Sequence, residues 1–260
     1  MIKAAFFDID GTLVSLATHE VPESAARALR RMHERGIKLF VATGRPPYGM
    51  PPAAKSLFER VPFGAFLTFN GQLCYDERGD YRDCPIDGDD VQVLVCQASS
   101  GMYEVSFMQR TRSFVSRRSE RVEAVDKAVG TPYDDGDLSM AFDEPTYQMC
   151  AYVDPGDEGQ FMNVCQHVEY TRWCDGFCDV IPAGGGKPAG IAATLERFGL
   201  RSEECIAFGD GGNDIPMFGC VGTSVAMGNA GDAVKAAASY VTTDIDEGGI
   251  WNACEHFSLL

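Results

Sequence analysis

Three stretches of the chain repeat one pattern: a short, mostly apolar run, then a polar or glycine-containing turn, then apolar positions at helical spacing. They are Ala4 to Ile9 before Asp10-Gly11-Thr12, Lys38 to Ala42 before Thr43-Gly44-Arg45, and Cys205 to Phe208 before Gly209-Asp210-Gly211-Gly212-Asn213-Asp214. Runs without polar alternation suit strands buried on both faces, as in a parallel sheet. Between the first two, residues 22 to 35 put Ala25, Ala28, Leu29 and Met32 on one face, open with Pro22 and stop at Gly36, which predicts a crossover helix. Residues 189 to 198 and 232 to 238 predict further helices, the second leading into a strand over 239 to 242. Strand, helix and strand in this order make a doubly wound α/β fold.

The middle of the chain follows another pattern. Residues 72 to 82 alternate like a hairpin, 88 to 99 read as a helix, and strands are expected near 102 to 108 and 146 to 153. Turns are expected at Asp134-Asp135-Gly136 and Asp154-Pro155-Gly156. The α/β pattern resumes afterwards. The expected organisation is therefore a core of residues 1–81 and 183–260 with an inserted α+β domain of residues 82–182.

With 45% hydrophobic and 23% charged residues in 260, the chain is an ordinary globular protein in composition. No apolar run approaches the roughly 20 residues that span a bilayer. The first residues place Asp8 where a leader needs apolar ones, so a cytoplasmic location is expected. A net charge of -16 disfavours nucleic acid and anionic membrane as partners. The five arginines between 110 and 121 are the one local exception and read as a solvated face. The ten cysteines are scattered without a CxxC pair and the four histidines form no HExxH, which points to reduced thiols rather than a zinc site. Oligomeric state is not readable from the sequence.

In an open parallel sheet, ligands sit beyond the carboxyl ends of the strands, where all three polar turns fall. Asp8, Asp10, Thr12, Thr43, Asp210 and Asp214 should therefore converge, joined by Lys187 if the helix after Gly184-Gly185-Gly186 starts at the same rim. Two unit charges about 4 Å apart repel by about 4 kcal/mol at an effective dielectric of 20, so such a rim of acids needs a cation. Oxygen ligands without His or Cys select a hard ion, and Mg²⁺ is usually held by few protein ligands plus substrate phosphate. Asp8 can attack phosphorus to form an aspartyl-phosphate, and Asp10 can protonate the departing alcohol and then deprotonate the hydrolytic water. Thr43 and the amides of Asp10 and Gly44 would grip phosphoryl oxygens, with Lys187 and Mg²⁺ neutralising charge.

These residues resemble the four motifs, in order, of the haloacid dehalogenase superfamily phosphatases, in the Cof-type group with a large cap between the second and third motifs. The carriers are Asp8-Ile9-Asp10-Gly11-Thr12, Val41-Ala42-Thr43-Gly44-Arg45, Lys187 and Gly209-Asp210-Gly211-Gly212-Asn213-Asp214. Phe69-Asn70-Gly71, residues 226–230 and residues 244–250 also look like group features. The resemblance implies Asp8 as nucleophile and metal ligand, Asp10 as acid/base and metal ligand through its carbonyl, and Asp210 as the third ligand. It implies that Asp214 and Asn213 orient metal-bound water and Lys187, with Arg45 and Asn70 in support. Gly248 departs from the group, where an acid is common, and Gly185-Gly186 before Lys187 looks loose.

The function expected is Mg²⁺-dependent hydrolysis of small phosphorylated metabolites such as sugar phosphates. A phosphomutase keeps the same motifs and is the alternative. A receiver-like phosphoacceptor domain is disfavoured by the chain length and by an acid beside the nucleophile. A P-loop at Gly184-Gly185-Gly186-Lys187 fails because Pro188 replaces the required Ser/Thr. Trp173 and Phe177 fit either cap core or side chains that face the site, since the stretch from Arg172 to Asp179 falls where the cap returns to the core.

Overall fold

The computed structural model describes residues 1–129, 133–172 and 174–260. Trp173 lies outside the described residues. The first five strands are β1 (Ala4–Phe7), β2 (Lys38–Ala42), β3 (Ala65–Thr68), β4 (Leu73–Asp76) and β5 (Gly79–Asp83). Six follow in the middle of the chain: β6 (Val105–Gln109), β7 (Ser113–Val115), β8 (Asp134–Asp135), β9 (Thr146–Ala151), β10 (Val168–Thr171) and β11 (Cys178–Pro182). The last three are β12 (Cys205–Gly209), β13 (Thr223–Ala226) and β14 (Tyr240–Val241).

One sheet has the order β14-β13-β12-β1-β2-β3-β4-β5, parallel through β3 and antiparallel beyond it. Its central strands β1, β2 and β12 are apolar beyond the exposed Lys38 that opens β2, because both faces are covered. Phe7, Leu39, Val41 and Phe208 meet Ala28, Leu29 and Met32 of the helix Glu23–Glu34 and Ile250 and Ala253 of the helix Gly249–His256. Phe6, Phe40 and Ala207 face Ile191 of the helix Gly186–Phe198 and Met217 on the other side. Fully burying a Leu or Phe side chain is worth about 1.5–3 kcal/mol, so these two layers fix the sheet and with it the loops at its carboxyl edge.

The second sheet has the order β10-β11-β9-β6-β7-β8. One face, with Val105, Phe107, Met149 and Val180, packs on Leu94 of the helix Gly88–Ser99 and on Phe161. The alternate residues turn to the first sheet, where Met108, Cys150, Tyr152 and Phe177, with Tyr147 at the register shift of the β6–β9 pair, join Phe69 and Leu73.

Several expectations need correction. Asp134-Asp135 is not a turn but the short edge strand β8, paired in parallel with β7, because tertiary pairing overrides the local turn signal. The boundary expected at residue 82 falls inside β5, which extends the first sheet. Gly185-Gly186 is not loose. A Cβ on Gly185 would stand 2.5 Å from Gln72 Nε2, and one on Gly71 would stand 2.8 Å from the Gly186 carbonyl, so the helix start is pressed against the 69–71 turn. The arginines of the 110–121 stretch face carboxylates: Arg110 pairs with Asp80, Arg112 with Asp143, Arg117 with Glu104, Arg118 with Asp126 and Arg121 with Asp154. Six of the ten cysteines are buried. Among the described residues, no helix is long and apolar enough to cross a membrane.

Candidate active site

The parallel strands β1, β2 and β12 end at one edge of the sheet, and the residues after them meet there. Asp8 follows β1, and its amide still bonds to the Phe208 carbonyl at 3.1 Å, continuing the sheet by one residue. Its carboxylate accepts from Lys187 Nζ at 2.6 Å, and the same ammonium reaches Asp214 Oδ1 at 2.5 Å. Lys187 and Asp214 are fully buried. Such a cation cannot be removed cheaply, since breaking a buried pair leaves an uncompensated charge. Asp214 is tied on both oxygens, because its second one accepts the amides of Asp210 and Gly211 at 2.9 Å each.

Asp210 accepts from Thr12 Oγ1 at 2.8 Å. Gly11 passes so close that a Cβ would lie 2.0 Å from Asp210 Oδ2, and its φ of +80° is one that an L side chain rarely adopts. Asn229 Nδ2 holds the Gly11 carbonyl at 2.8 Å while Asn229 Oδ1 accepts the Ile245 amide at 3.1 Å. Two of the sequence features beyond the main motifs, 226–230 and 244–250, therefore brace the loop that carries Asp10. Gly248, where the resemblance leads one to expect an acid, has a φ of +82° in this brace.

Carboxylate oxygens of Asp8, Asp210 and Asp214 lie within 4.8 Å of one another. Burial and the neighbouring acids push the Asp8 carboxyl up to about 7 against the pull of Lys187. Burial, then Asp8 and Asp214, push Asp210 up to about 8. One buried ammonium is too little charge for this cluster, and its donors are all oxygen, so the residues fit a hard divalent cation. The Asp10 carboxylate stands outside the cluster: Arg45 Nε and Nη2 grip its two oxygens at 2.6 and 2.8 Å.

Thr43 caps the turn after β2, its hydroxyl accepting the Arg45 amide at 3.1 Å and its carbonyl the Asn70 amide at 2.9 Å. Asn70 adopts φ 53°, a left-handed conformation that asparagine tolerates. Its side chain joins the two sheets: Nδ2 donates to Gln148 Oε1 at 2.9 Å and to Asp179 Oδ2 at 3.0 Å, while Oδ1 accepts from Asn213 at 3.1 Å.

Asp8, Asp10, Thr43, Gly44, Arg45, Asp210 and Asn213 line one end of a cavity of about 280 Å³. Met108, Tyr133, Gln148, Cys150, Phe177 and Asp179 from the second sheet line the other. Phe177 thus both packs against Tyr152, with ring centroids 6.0 Å apart, and reaches the cavity. Lys187 and Asp214 stand behind Asp8 rather than in the lining. Gln148, Cys150 and Met108 were not singled out from the sequence. Period-two alternation along β6 and β9 is the signal that would have found them.

An aspartate at the end of a central parallel strand, a buried lysine behind it, further acids around it and a second sheet over the cavity define the capped aspartate phosphatases of the haloacid dehalogenase fold. The chain belongs to the haloacid dehalogenase-like hydrolase family, whose model matches residues 5–254, and it is a phosphatase of that family. It is 30% identical over 260 residues to YkrA of Bacillus subtilis (strain 168), provisionally named a phosphatase, covering 99% of this chain and 98% of that one. It is 27% identical to 5-amino-6-(5-phospho-D-ribitylamino)uracil phosphatase YbjI of Escherichia coli (strain K12), covering 92% and 90% of the two chains. Its fold matches that of the subclass IIB sugar phosphatase BT4131 with a TM-score of 0.91 and 33% identity, over 99% of this chain and 100% of that one.

Proposed function

We propose that the protein hydrolyses phosphate monoesters of small metabolites, with sugar phosphates as the leading class, through an aspartyl-phosphate on Asp8. The observation that carries this reading is the Asp8 carboxylate, anchored by Lys187 at 2.6 Å and lining the cavity beside Thr43 and Gly44. An Asp8 oxygen attacks phosphorus as the bond to the leaving oxygen breaks, and that oxygen takes a proton from Asp10. Water then attacks the aspartyl-phosphate, gives its proton to Asp10, and phosphate departs. Each Asp10 oxygen accepts one N–H of the Arg45 fork, which orients the carboxyl and leaves a second lone pair on each oxygen for the proton. Thr43 and the Gly44 amide hold phosphoryl oxygens.

Asp8 and Asp210 would hold Mg²⁺, with the Asp10 carbonyl as a third ligand, while Asp214 keeps Lys187 and the Asp210 loop in place. The ion would offset the phosphate's charge and polarise a phosphoryl oxygen. Lys187 acts on the nucleophile from behind, neutralising and aiming it, rather than gripping the phosphate from within the cavity. The region of the second sheet that follows β5 would act as the cap that encloses the leaving group.

The test is inorganic phosphate released from a panel of sugar phosphates, nucleotides and cofactor phosphates with Mg²⁺, followed by excess chelator. Release that chelator abolishes is expected. Undiminished release in chelator, or a phosphorylated isomer in place of free phosphate, would count against the reading, the latter in favour of a phosphomutase.

A further inference from the structure

The wall of the cavity built by the second sheet carries an acid and, among the described lining residues, no cation. Its composition follows from strand register. Met108 lies opposite Gln148 and Ser106 opposite Cys150 in the β6–β9 pair, and Asp179 lies opposite Cys150 in the β9–β11 pair. Their alternate neighbours Phe107, Met149 and Val180 belong to the apolar layer under the helices, so Met108, Gln148, Cys150 and Asp179 face the cavity together. Asp179 is 2% exposed. It accepts from Asn70 Nδ2 at 3.0 Å, Gln148 Nε2 at 3.0 Å and Cys150 Sγ at 3.4 Å, all neutral donors. The cations near the site are engaged elsewhere: Arg45 holds Asp10, and Lys187 holds Asp8 and Asp214.

We propose that Asp179 selects the leaving group by charge, so that the site takes monophosphates of neutral, hydroxyl-rich alcohols and turns away those bearing a second phosphate or a carboxylate. The inference rests on the phosphatase reading of the same cavity. A carboxylate has about four acceptor positions, and three donors leave room for a substrate hydroxyl. A second anion on the substrate would instead meet a buried negative charge whose bonded partners are all neutral, in a medium that screens poorly, which is selection by an unfavourable contact. Burial lifts the Asp179 carboxyl to about 6, against the bonds from Asn70 and Cys150 and the charge of Lys187, so the assay is run at pH 7.5, above that value. Met108 and Phe177 offer apolar surface to the C–H face of a polyol.

The experiment measures kcat/KM at pH 7.5 with Mg²⁺ for matched pairs: glucose 6-phosphate against 6-phosphogluconate, glycerol 3-phosphate against 3-phosphoglycerate, and glucose 1-phosphate against glucose 1,6-bisphosphate. p-Nitrophenyl phosphate reports the core chemistry alone. The neutral member should lead by at least ten-fold, and D179N should shrink that lead at least three-fold, mainly through a lower KM for the anionic member. Hydrolysis of p-nitrophenyl phosphate with no ten-fold lead in any pair overturns this inference and leaves the phosphatase reading standing. No hydrolysis of any compound overturns both. An unchanged ratio in folded D179N and D179A also overturns the inference, and if neither variant folds the wild-type ratios decide.

Discussion

On the wall of the cavity formed by the first sheet, Asp8, Asp210 and Thr43 sit on loops just past the ends of parallel strands. They are held by charge and backbone amides: Lys187 ties Asp8 to Asp214, and Asp214 ties down the amides of Asp210 and Gly211. On the opposite wall, Met108, Gln148, Cys150 and Asp179 lie within strands of an antiparallel region, and register alone decides which of them face inward. The first wall tolerates no change of type, since each group there completes a charge or hydrogen-bond requirement of another. The second is tied to the first through Asn70, Gln148 and Asp179, and outside that network it needs only an alternation and a shape, so its remaining residues are free to differ with the leaving group.

The strongest way to break this comparison is to change the nucleophile. Asp8→Asn keeps the shape and removes the charge, so phosphate release should fall by more than about 10³-fold. Asp10→Asn should cost about 10² to 10⁴-fold through lost proton transfer. Both variants should melt cooperatively, and the loss should be the same for every substrate. Retention of more than a few per cent of activity in Asp8→Asn would remove it as nucleophile and with it the distinction between the two walls.

Next in size is an effect on stability confined to the first wall. Asp8 and Asp210 are raised from 3.8 to about 7 and about 8 when no cation is bound. An acid whose folded value is raised gives a folded state that binds more protons than the unfolded one between the two values, so stability falls as pH rises. The metal-free protein should therefore lose stability progressively from about pH 4 to pH 8. Mg²⁺ should restore it at the upper end, because a bound cation stabilises the ionised acids. Thermal melts in chelator and in Mg²⁺ across this range read the difference, and Asp210→Asn should flatten it. Equal melting temperatures with and without Mg²⁺ at pH 8 would contradict the metal assignment.

The same contrast explains what was legible in the sequence. The parallel strands β1, β2 and β12 announce themselves as apolar runs, whereas β3 and β13 are too short and mixed to do so, and the acids after the first three, with Thr43 and Lys187, stand at loop positions that the α/β topology must bring together. Asp8, Asp210, Asp214, Thr43 and Lys187 could thus be placed before any coordinates. The Arg45 grip on Asp10 and the bridge from Asn70 to Gln148 and Asp179 could not, because they depend on side-chain reach across 35, 78 and 109 residues of chain. The strands β7, β10 and β11 were not picked out because their polar residues, such as Ser113, Glu169 and Asp179, blur the alternation that marks a strand. β8 reads as a turn in the sequence because Asp134-Asp135-Gly136 is a local turn signal, and only pairing with β7 overrides it.

The smallest expected effect sharpens the comparison most, because it sets one residue from each wall side by side. Thr43 is 1% exposed and follows β2, where its hydroxyl meets the turn that would hold the phosphate, a group every substrate shares. A hydrogen bond to a charged group is worth about 1.5–3 kcal/mol, so Thr43→Ala should lower kcat/KM by roughly 10 to 100-fold for all substrates alike. Phe177 lines the far end of the cavity and packs on Tyr152, where under the proposed function it would touch only what differs between substrates. Phe177→Leu keeps most of the buried volume, which avoids the roughly 3–5 kcal/mol loss of stability that Phe→Ala costs in a core. It should shift the ratio between a bulky and a compact sugar phosphate by a few-fold, while the Mg²⁺ dependence and p-nitrophenyl phosphate hydrolysis change little. The measurement is the full substrate ranking for both variants, normalised to the wild-type protein. Parallel losses in both would mean that Phe177 acts through the fold and not through the leaving group, and the second wall would then lose its separate role.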